Sequence, residues 1–235
     1  MQTKIKSFPG SITTLFSLLL FVAGCEKKLD NHTTNTTNGT VTDIDGNIYN
    51  TVTIGTQVWM TSNLKTTRLN DGTTIPHVTD ATNWSYLSTP ALCDYDNLPV
   101  NASTYGKLYN WYAVNTGLLA PVGWHVPTDA EWLALENYLG NDDVMGGKLK
   151  ETGSAHWQLP NTAATNETGF TALPGGSRYS TGSFYSLTYD GYFWTSTTGT
   201  DISYAYYHWV DFNLGSVYRT EDYKTDGISV RCVKD

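Results

Sequence analysis

The chain has 235 residues and a formal net charge of −8, and only 15% of its residues are charged. An acidic surface of that kind repels nucleic acid, so no nucleic-acid partner is expected. Sparse charge beside abundant Gly, Thr, Asn and Tyr disfavours a helical bundle and favours a turn-rich, strand-rich chain of one domain or two small ones.

Residues 1–24 carry Lys4 and Lys6, no acid, and an apolar run from Leu15 to Val22 that ends in Ala23-Gly24-Cys25. This is a basic n-region, a short apolar h-region and a small-residue cleavage site, and the run is well short of the roughly 20 apolar residues of a membrane-spanning helix. Val22-Ala23-Gly24-Cys25 resembles a bacterial lipobox, at which diacylglycerol is attached to the thiol before cleavage. Cys25 is therefore expected to carry fatty acyl chains such as palmitate and to tie the mature protein to a membrane, each buried methylene contributing about 0.8 kcal/mol. Glu26 is not the Asp that marks inner-membrane retention in enteric bacteria, so the expected address is the outer membrane or cell surface, with a periplasmic face left open. Loss of the leader removes Lys4 and Lys6 and takes the net charge from −8 to −10. Residues 25–40 contain almost nothing apolar and read as a flexible tether, which places the start of the folded domain, 41–235, near Val41.

Asp45-Gly46 and Gly55-Thr56 each sit between short alternating runs, which predicts two tight hairpins. Asp43, Asp45 and Asn47 lack the Gly and the Glu of a calcium loop at their required positions, so the turn reading is preferred. The apolar positions from Tyr105 to Val114 fit a short buried helix. Thr128 with Glu131 forms a capping-box pattern; Trp132, Leu135, Tyr138 and Leu139 share a face, and Gly140 ends the helix. A second short helix is expected over Asp142 to Leu149. Strands follow at Tyr192–Ser196, Tyr204–Phe212, Ser216–Arg219 and Gly227–Val233; in the last, Ile228, Val230 and Cys232 are expected inside and Ser229 and Arg231 outside. Hairpins, then short helices, then antiparallel strands make an α+β domain. In an oxidising compartment Cys93 and Cys232 read as one disulfide closing a long loop, with two free buried thiols as the alternative.

Six ordered blocks then come into view: Thr53-Ile-Gly-x-Gln-x-Trp-Met60 with Asn63-Leu64, Tyr105-Gly-Lys-Leu-Tyr-Asn-Trp111, Gly123-Trp-His-Val-Pro-Thr-Asp-Ala-Glu-Trp132, Gly169-Phe-x-Ala-Leu-Pro-Gly-Gly176, Trp194-x-Ser196 and Ser229-Val-Arg-Cys-Val233. Together they resemble the Fibrobacter succinogenes major paralogous domain over Val41 to Asp235. The resemblance implies a surface or secreted lipoprotein without implying a reaction. Pro127-Thr-Asp-Ala-Glu-Trp132 is also similar to the helix opening of formylglycine-generating-enzyme-like domains, which implies a C-type-lectin-like fold whose terminal, Cys-bearing strand returns beside the first strand. Many members carry a Cys just before the Gly-Trp-His block. Here Leu119-Ala-Pro-Val122 stands there, which leaves the partner of Cys232 open.

No set of residues argues for catalysis. Oxidation of the formylglycine-generating type needs two thiols close together, and His-Glu-x-x-His, Gly-x-Ser-x-Gly and phosphate-loop patterns are missing. The histidines are too widely spaced for a metal cluster, and His125 reads as fixing the turn before the capped helix. Asp94, Asp96 and Asn97 supply hard oxygens for a possible calcium ion, against the alternative of solvated turn acids. The strand half is rich in aromatics, of which Trp194, Tyr206, Tyr207 and Trp209 are candidate ligand-stacking residues, unless both rows pack inside. The expected function is a non-catalytic binding module for a glycan or a surface protein. The alternatives are a formylglycine-generating-like enzyme with an altered site and a structural envelope component.

Overall fold

The computed structural model describes Gln2 and residues 37–140 and 142–235. The cleavage site, Cys25 and the tether up to residue 36 lie outside them. Strands β1 (Thr37–Thr42), β2 (Ile48–Ile54) and β3 (Gln57–Met60) form an antiparallel meander. Strand β1 begins at Thr37, within the stretch read from sequence as tether. Ile54 pairs with Gln57 across the two-residue turn Gly55-Thr56, as the sequence predicts. In the other turn Asp43 does the work of a turn residue: its Oδ1 accepts from the Asp45 and Asn47 amides, and its Oδ2 from Asn47 and the Tyr49 hydroxyl.

Next come α1 (Ala81–Ser85), β4 (Leu92–Cys93), a 3-10 turn over Tyr95–Asn97, α2 (Pro99–Tyr105), β5 (Leu108–Tyr109), α3 (Trp111–Val114) and β6 (Trp124–His125). The single helix expected over Tyr105 to Val114 is in fact three pieces. Gly106, at φ +81°, ends α2, and the Asn110 side chain caps α3 by accepting from the Ala113 amide, so the chain crosses between them as a short strand. Helix α4 (Asp129–Leu139) has the predicted capping box between Thr128 and Glu131 and the predicted left-handed Gly140. Helix α5 spans Met145–Leu149, starting later than expected.

The remainder is β-structure: β7 (Gly175–Arg178), β8 (Phe184–Leu187), β9 (Asp190–Thr198), β10 (Tyr204–Asp211), β11 (Val217–Tyr223), β12 (Ile228–Ser229) and β13 (Val233–Lys234). One sheet runs β1-β2-β3-β13-β6, a second β11-β10-β9-β12-β5-β4, and β7 and β8 form a ribbon. All pairs are antiparallel except β12 with β9, so the domain is α+β with few, short helices. Helix α4 presses Trp132, Leu135 and Leu139 into a core with Trp59, Phe170 and Phe193. Each such fully buried side chain contributes roughly 1.5–3 kcal/mol.

The last segment departs from its pattern. Arg231 and Ser229, expected outside, are buried, Arg231 completely, because segments on both sides of the terminal chain cover it. The Arg231 guanidinium donates to Asn63 Oδ1 and to the carbonyls of Phe170 and Thr171, and stacks 4.3 Å from the Phe170 ring. Arg178 and Lys150, equally buried, likewise reach backbone carbonyls rather than carboxylates.

Helix α5 passes so close to the loops beside it that a side chain on Gly147 would overlap the Ala163 carbonyl, and one on Gly146 that of Ser216. Gly147→Ala is therefore expected to destabilise the domain by at least about 2 kcal/mol, read as a lowered urea midpoint. An unchanged midpoint would mean that these loops yield freely.

Candidate functional site

The expected disulfide between Cys93 and Cys232 is not formed. Cys93 and Cys232 are free and fully buried, and they sit in different core clusters, Cys93 with Trp84 and Leu108, Cys232 with Tyr49 and Tyr109. Long sequence separation carried no information on whether the two Cβ atoms approach. Burial pushes the Cys93 thiol up to about 12 and the Cys232 thiol higher still, so neither is a ready nucleophile.

The proposed calcium ligands do not form a cation site either. Asp94 is buried and its carboxylate already accepts from Lys107 Nζ at 2.7 Å, with His77 Nε2 at 3.6 Å. Asn97 turns its amide nitrogen to the Thr79 carbonyl, and Asp96 is exposed. An ammonium on the central carboxylate opposes a second cation there. Among the described residues no group of three or more His, Cys, Asp or Glu is placed to hold a metal ion. His125 bridges Glu131 Oε1 at 2.8 Å and Asp235 Oδ1 at 2.7 Å, which ties the turn before α4 to the end of the chain.

Of the four aromatic candidates, two are internal. Trp194 is fully buried with its indole N–H on the Tyr109 carbonyl, and Tyr207 is 8% exposed. Tyr206 is half-buried beneath the Arg219 guanidinium, 3.8 Å from its ring. Only Trp209 stands in a setting suited to stacking, and register explains why. Trp209 pairs with Tyr192 on β9 and with Tyr218 on β11, so the three rings share one face of the sheet. They stack in a row: Tyr192 to Trp209 at 6.1 Å and 30°, Trp209 to Tyr218 at 4.7 Å and 28°. All three are partly exposed. Beside them Tyr179 and Tyr185 form a second stacked pair, 4.3 Å apart and 42% and 45% exposed.

The opposite face of the same strands is closed by α4. His208 is fully buried, stacked on Trp132 at 5.0 Å, with Nδ1 2.6 Å from Glu136 Oε1 and Nε2 3.1 Å from Asp129 Oδ1. Carboxylate oxygens only accept, so both ring nitrogens carry protons. Burial opposes that charge, but Asp129 and Glu136 outweigh it and hold His208 above its ordinary value. Asp129 also binds Arg219 through both oxygens, at 2.7 and 3.0 Å. Burial would raise the Asp129 carboxyl, yet His208 and Arg219 bring it down to about 2. This network clamps the helix to the back of the strands and leaves the aromatic row on a rigid support.

Acids border the aromatic face. Asp190 and Asp211 are cross-strand partners next to the Tyr192–Trp209 rung. Burial first, and the Asp211 carboxylate second, lift the Asp190 carboxyl to about 6, while Tyr192 OH donates to its Oδ2 at 2.8 Å. Near Tyr179, burial and the neighbouring Asp222 raise Asp226 to about 8. Asp190 and Asp226 are themselves buried, so the carboxylates that can meet a ligand beside the rings are those of their partly exposed neighbours Asp211 and Asp222. Tyr192, Tyr179 and Tyr185 were not singled out by sequence. Alternation in the sequence already puts Trp209 on one face with Tyr207 and Asp211, but the partners across the strands follow only from register.

A family model described as Fibrobacter succinogenes major domain matches residues 52–234. No curated protein and no solved structure matches the chain.

Proposed function

The chain belongs to the Fibrobacter succinogenes major domain family, and from that premise we propose that it is a non-catalytic binding module, displayed on the cell envelope through a lipid on Cys25, that grips a glycan on the Tyr192–Trp209–Tyr218 row. The observation that carries this reading is the row itself: three partly exposed rings stacked across three adjacent strands. Aromatic faces stack against the C–H faces of sugar rings, and rings held by strand register lose little entropy when a ligand arrives. The partly exposed Asp211, one rung from Trp209, can accept from sugar hydroxyls. The outer-membrane or cell-surface address rests on the lipobox and on Glu26. Among the described residues no helix is long and apolar enough to cross a membrane, and attachment by an acyl chain requires none.

The finer reading of the fold as C-type-lectin-like draws support from β13, which enters between β3 and β6 so that the end of the chain lies in the sheet of the first strands. The alternative of a formylglycine-generating-like enzyme with an altered site draws less support, because the thiol chemistry of that class uses two accessible thiols close together and the two here are buried in separate clusters. A protein ligand at the same aromatic row is the second reading, favoured by the exposed Tyr179–Tyr185 pair at its side.

Calorimetric titration with a panel of neutral hexose oligosaccharides tests the proposal. Trp209→Ala is expected to weaken the binding of any ligand found by at least tenfold, in line with about 1.5 kcal/mol for a lost stacking partner. Equal affinity of the variant and the parent protein, with both folded, would remove the row from the reading.

A further inference from the structure

On another part of the domain, a cleft of about 490 Å³ opens between α3 and the end of β11. Trp111 and Tyr112 come from α3, Ser203 from the turn before β10, and Tyr223, Lys224 and Thr225 from the end of β11 and beyond. Two backbone hydrogen bonds lock these segments together: Trp111 N–H donates to the Lys224 carbonyl and Lys224 N–H to the Ser203 carbonyl, each at 2.9 Å. The cleft is thus built before any ligand arrives.

Its unusual member is Lys224. The residue is only 7% exposed, and its ammonium lies 4.3 Å from the centre of the Trp111 ring. Four Lys and Arg side chains are buried among the described residues, and the other three, Lys150, Arg178 and Arg231, each donate to two or more carbonyl or amide oxygens. Among the described residues the Lys224 ammonium meets no hydrogen-bond acceptor and no ion-pair partner. Asp201 at the rim is felt only through its field, and its carboxylate accepts from the Ser203 amide. Burial, partly offset by Asp201, holds the ammonium below its ordinary value. The side chain is largely buried while its ammonium opens onto the cleft, so its donors are left to water until a ligand brings a charged acceptor.

We propose that this cleft is an anion-binding site for a carboxylate-bearing sugar, a uronate residue of an acidic polysaccharide, with the carboxylate on Lys224 Nζ and the sugar ring among Tyr112, Tyr223 and the Trp111 edge. The chemistry of the lining selects that class. A single ammonium matches a singly charged carboxylate, whereas a phosphate dianion calls for several cationic donors or an Arg fork. The Ser203 and Thr225 hydroxyls are suited to sugar hydroxyls, and Ile202, 84% exposed at the rim, adds apolar cover. The site stands apart from the aromatic row and does not depend on it.

The test compares trigalacturonate with its fully methyl-esterified form, which has the same rings without the charge, by calorimetry at pH 7. The protein is expected to bind the acid at least tenfold more tightly than the ester. Lys224→Met, which keeps the stem on Trp111 and removes the charge, is expected to lose at least tenfold in affinity for the acid. Equal binding of acid and ester, no binding of either by the parent protein, or undiminished binding by Lys224→Met would each overturn the proposal. The acid-to-ester comparison needs no variant, so the proposal stays testable even if Lys224→Met fails to fold. Loss of trigalacturonate binding in Trp209→Ala would move the uronate to the aromatic row and refute this site alone.

Discussion

Replacing Arg231 with Ala is expected to cost on the order of 4 kcal/mol and to leave little folded protein in low urea. The side chain is completely buried and makes its hydrogen bonds to Asn63 Oδ1 and the Phe170 and Thr171 carbonyls, groups contributed by two distant segments. Truncation leaves those acceptors buried and unpaired, at roughly 1–3 kcal/mol each, and opens a cavity beside Phe170 and Phe193. Arg231→Met separates the two effects, because it restores much of the volume but none of the donors. It is expected to recover less than half of the loss. A urea midpoint for Arg231→Ala within about 0.5 kcal/mol of the parent would show that water or a shifted loop replaces the guanidinium at little cost.

The second large effect is on the pH dependence of stability. Asp226 is buried beside Asp222, and burial with that neighbour lifts its carboxyl to about 8 from an ordinary value of 3.8. The folded state therefore holds this proton more tightly than the unfolded chain does. The resulting stabilisation is complete only below the ordinary value and is lost as the pH climbs through about 8. Between pH 6 and 9 the loss is expected to be on the order of 2 kcal/mol. His208, also raised, changes stability in the same direction as its proton leaves. Asp226→Asn keeps an acceptor for the Ser180 amide, now 2.6 Å from Asp226 Oδ1, and has no proton to lose. Its urea midpoint should fall distinctly less between pH 6 and 9 than that of the parent protein. A parent midpoint that is flat over that range, or a variant with the same slope, would contradict this account of the pair.

Some of this molecule is legible in its sequence and some is not, for a physical reason. The capping box at Thr128 and Glu131, the Gly140 stop and the Gly55-Thr56 hairpin are local devices whose hydrogen bonds close within a few residues. The helix expected over Tyr105 to Val114 fails because apolar spacing alone does not register the left-handed Gly106 or the Asn110 cap. Arg231 resembles an outward strand residue, and nothing near it in sequence announces that Asn63 and Phe170 will enclose it. The same limit governs the site. Aromatic surplus marks β9 to β11 as the region of interest, but Trp194 and Trp209 lie on one face of the sheet, and only the packing of distant segments along that face buries the first and leaves the second partly open. The unpartnered state of Lys224 becomes visible only when every other buried cation is seen to have acceptors.

The central claim is that the Tyr192–Trp209–Tyr218 row receives the ligand. It is tested most directly by following the indole N–H signals of ¹⁵N-labelled protein while a binding neutral oligosaccharide is added. The Trp209 signal is predicted to shift in proportion to occupancy, while those of the buried Trp59, Trp132 and Trp194 stay in place. Saturation of the protein with no movement of the Trp209 signal would contradict the claim.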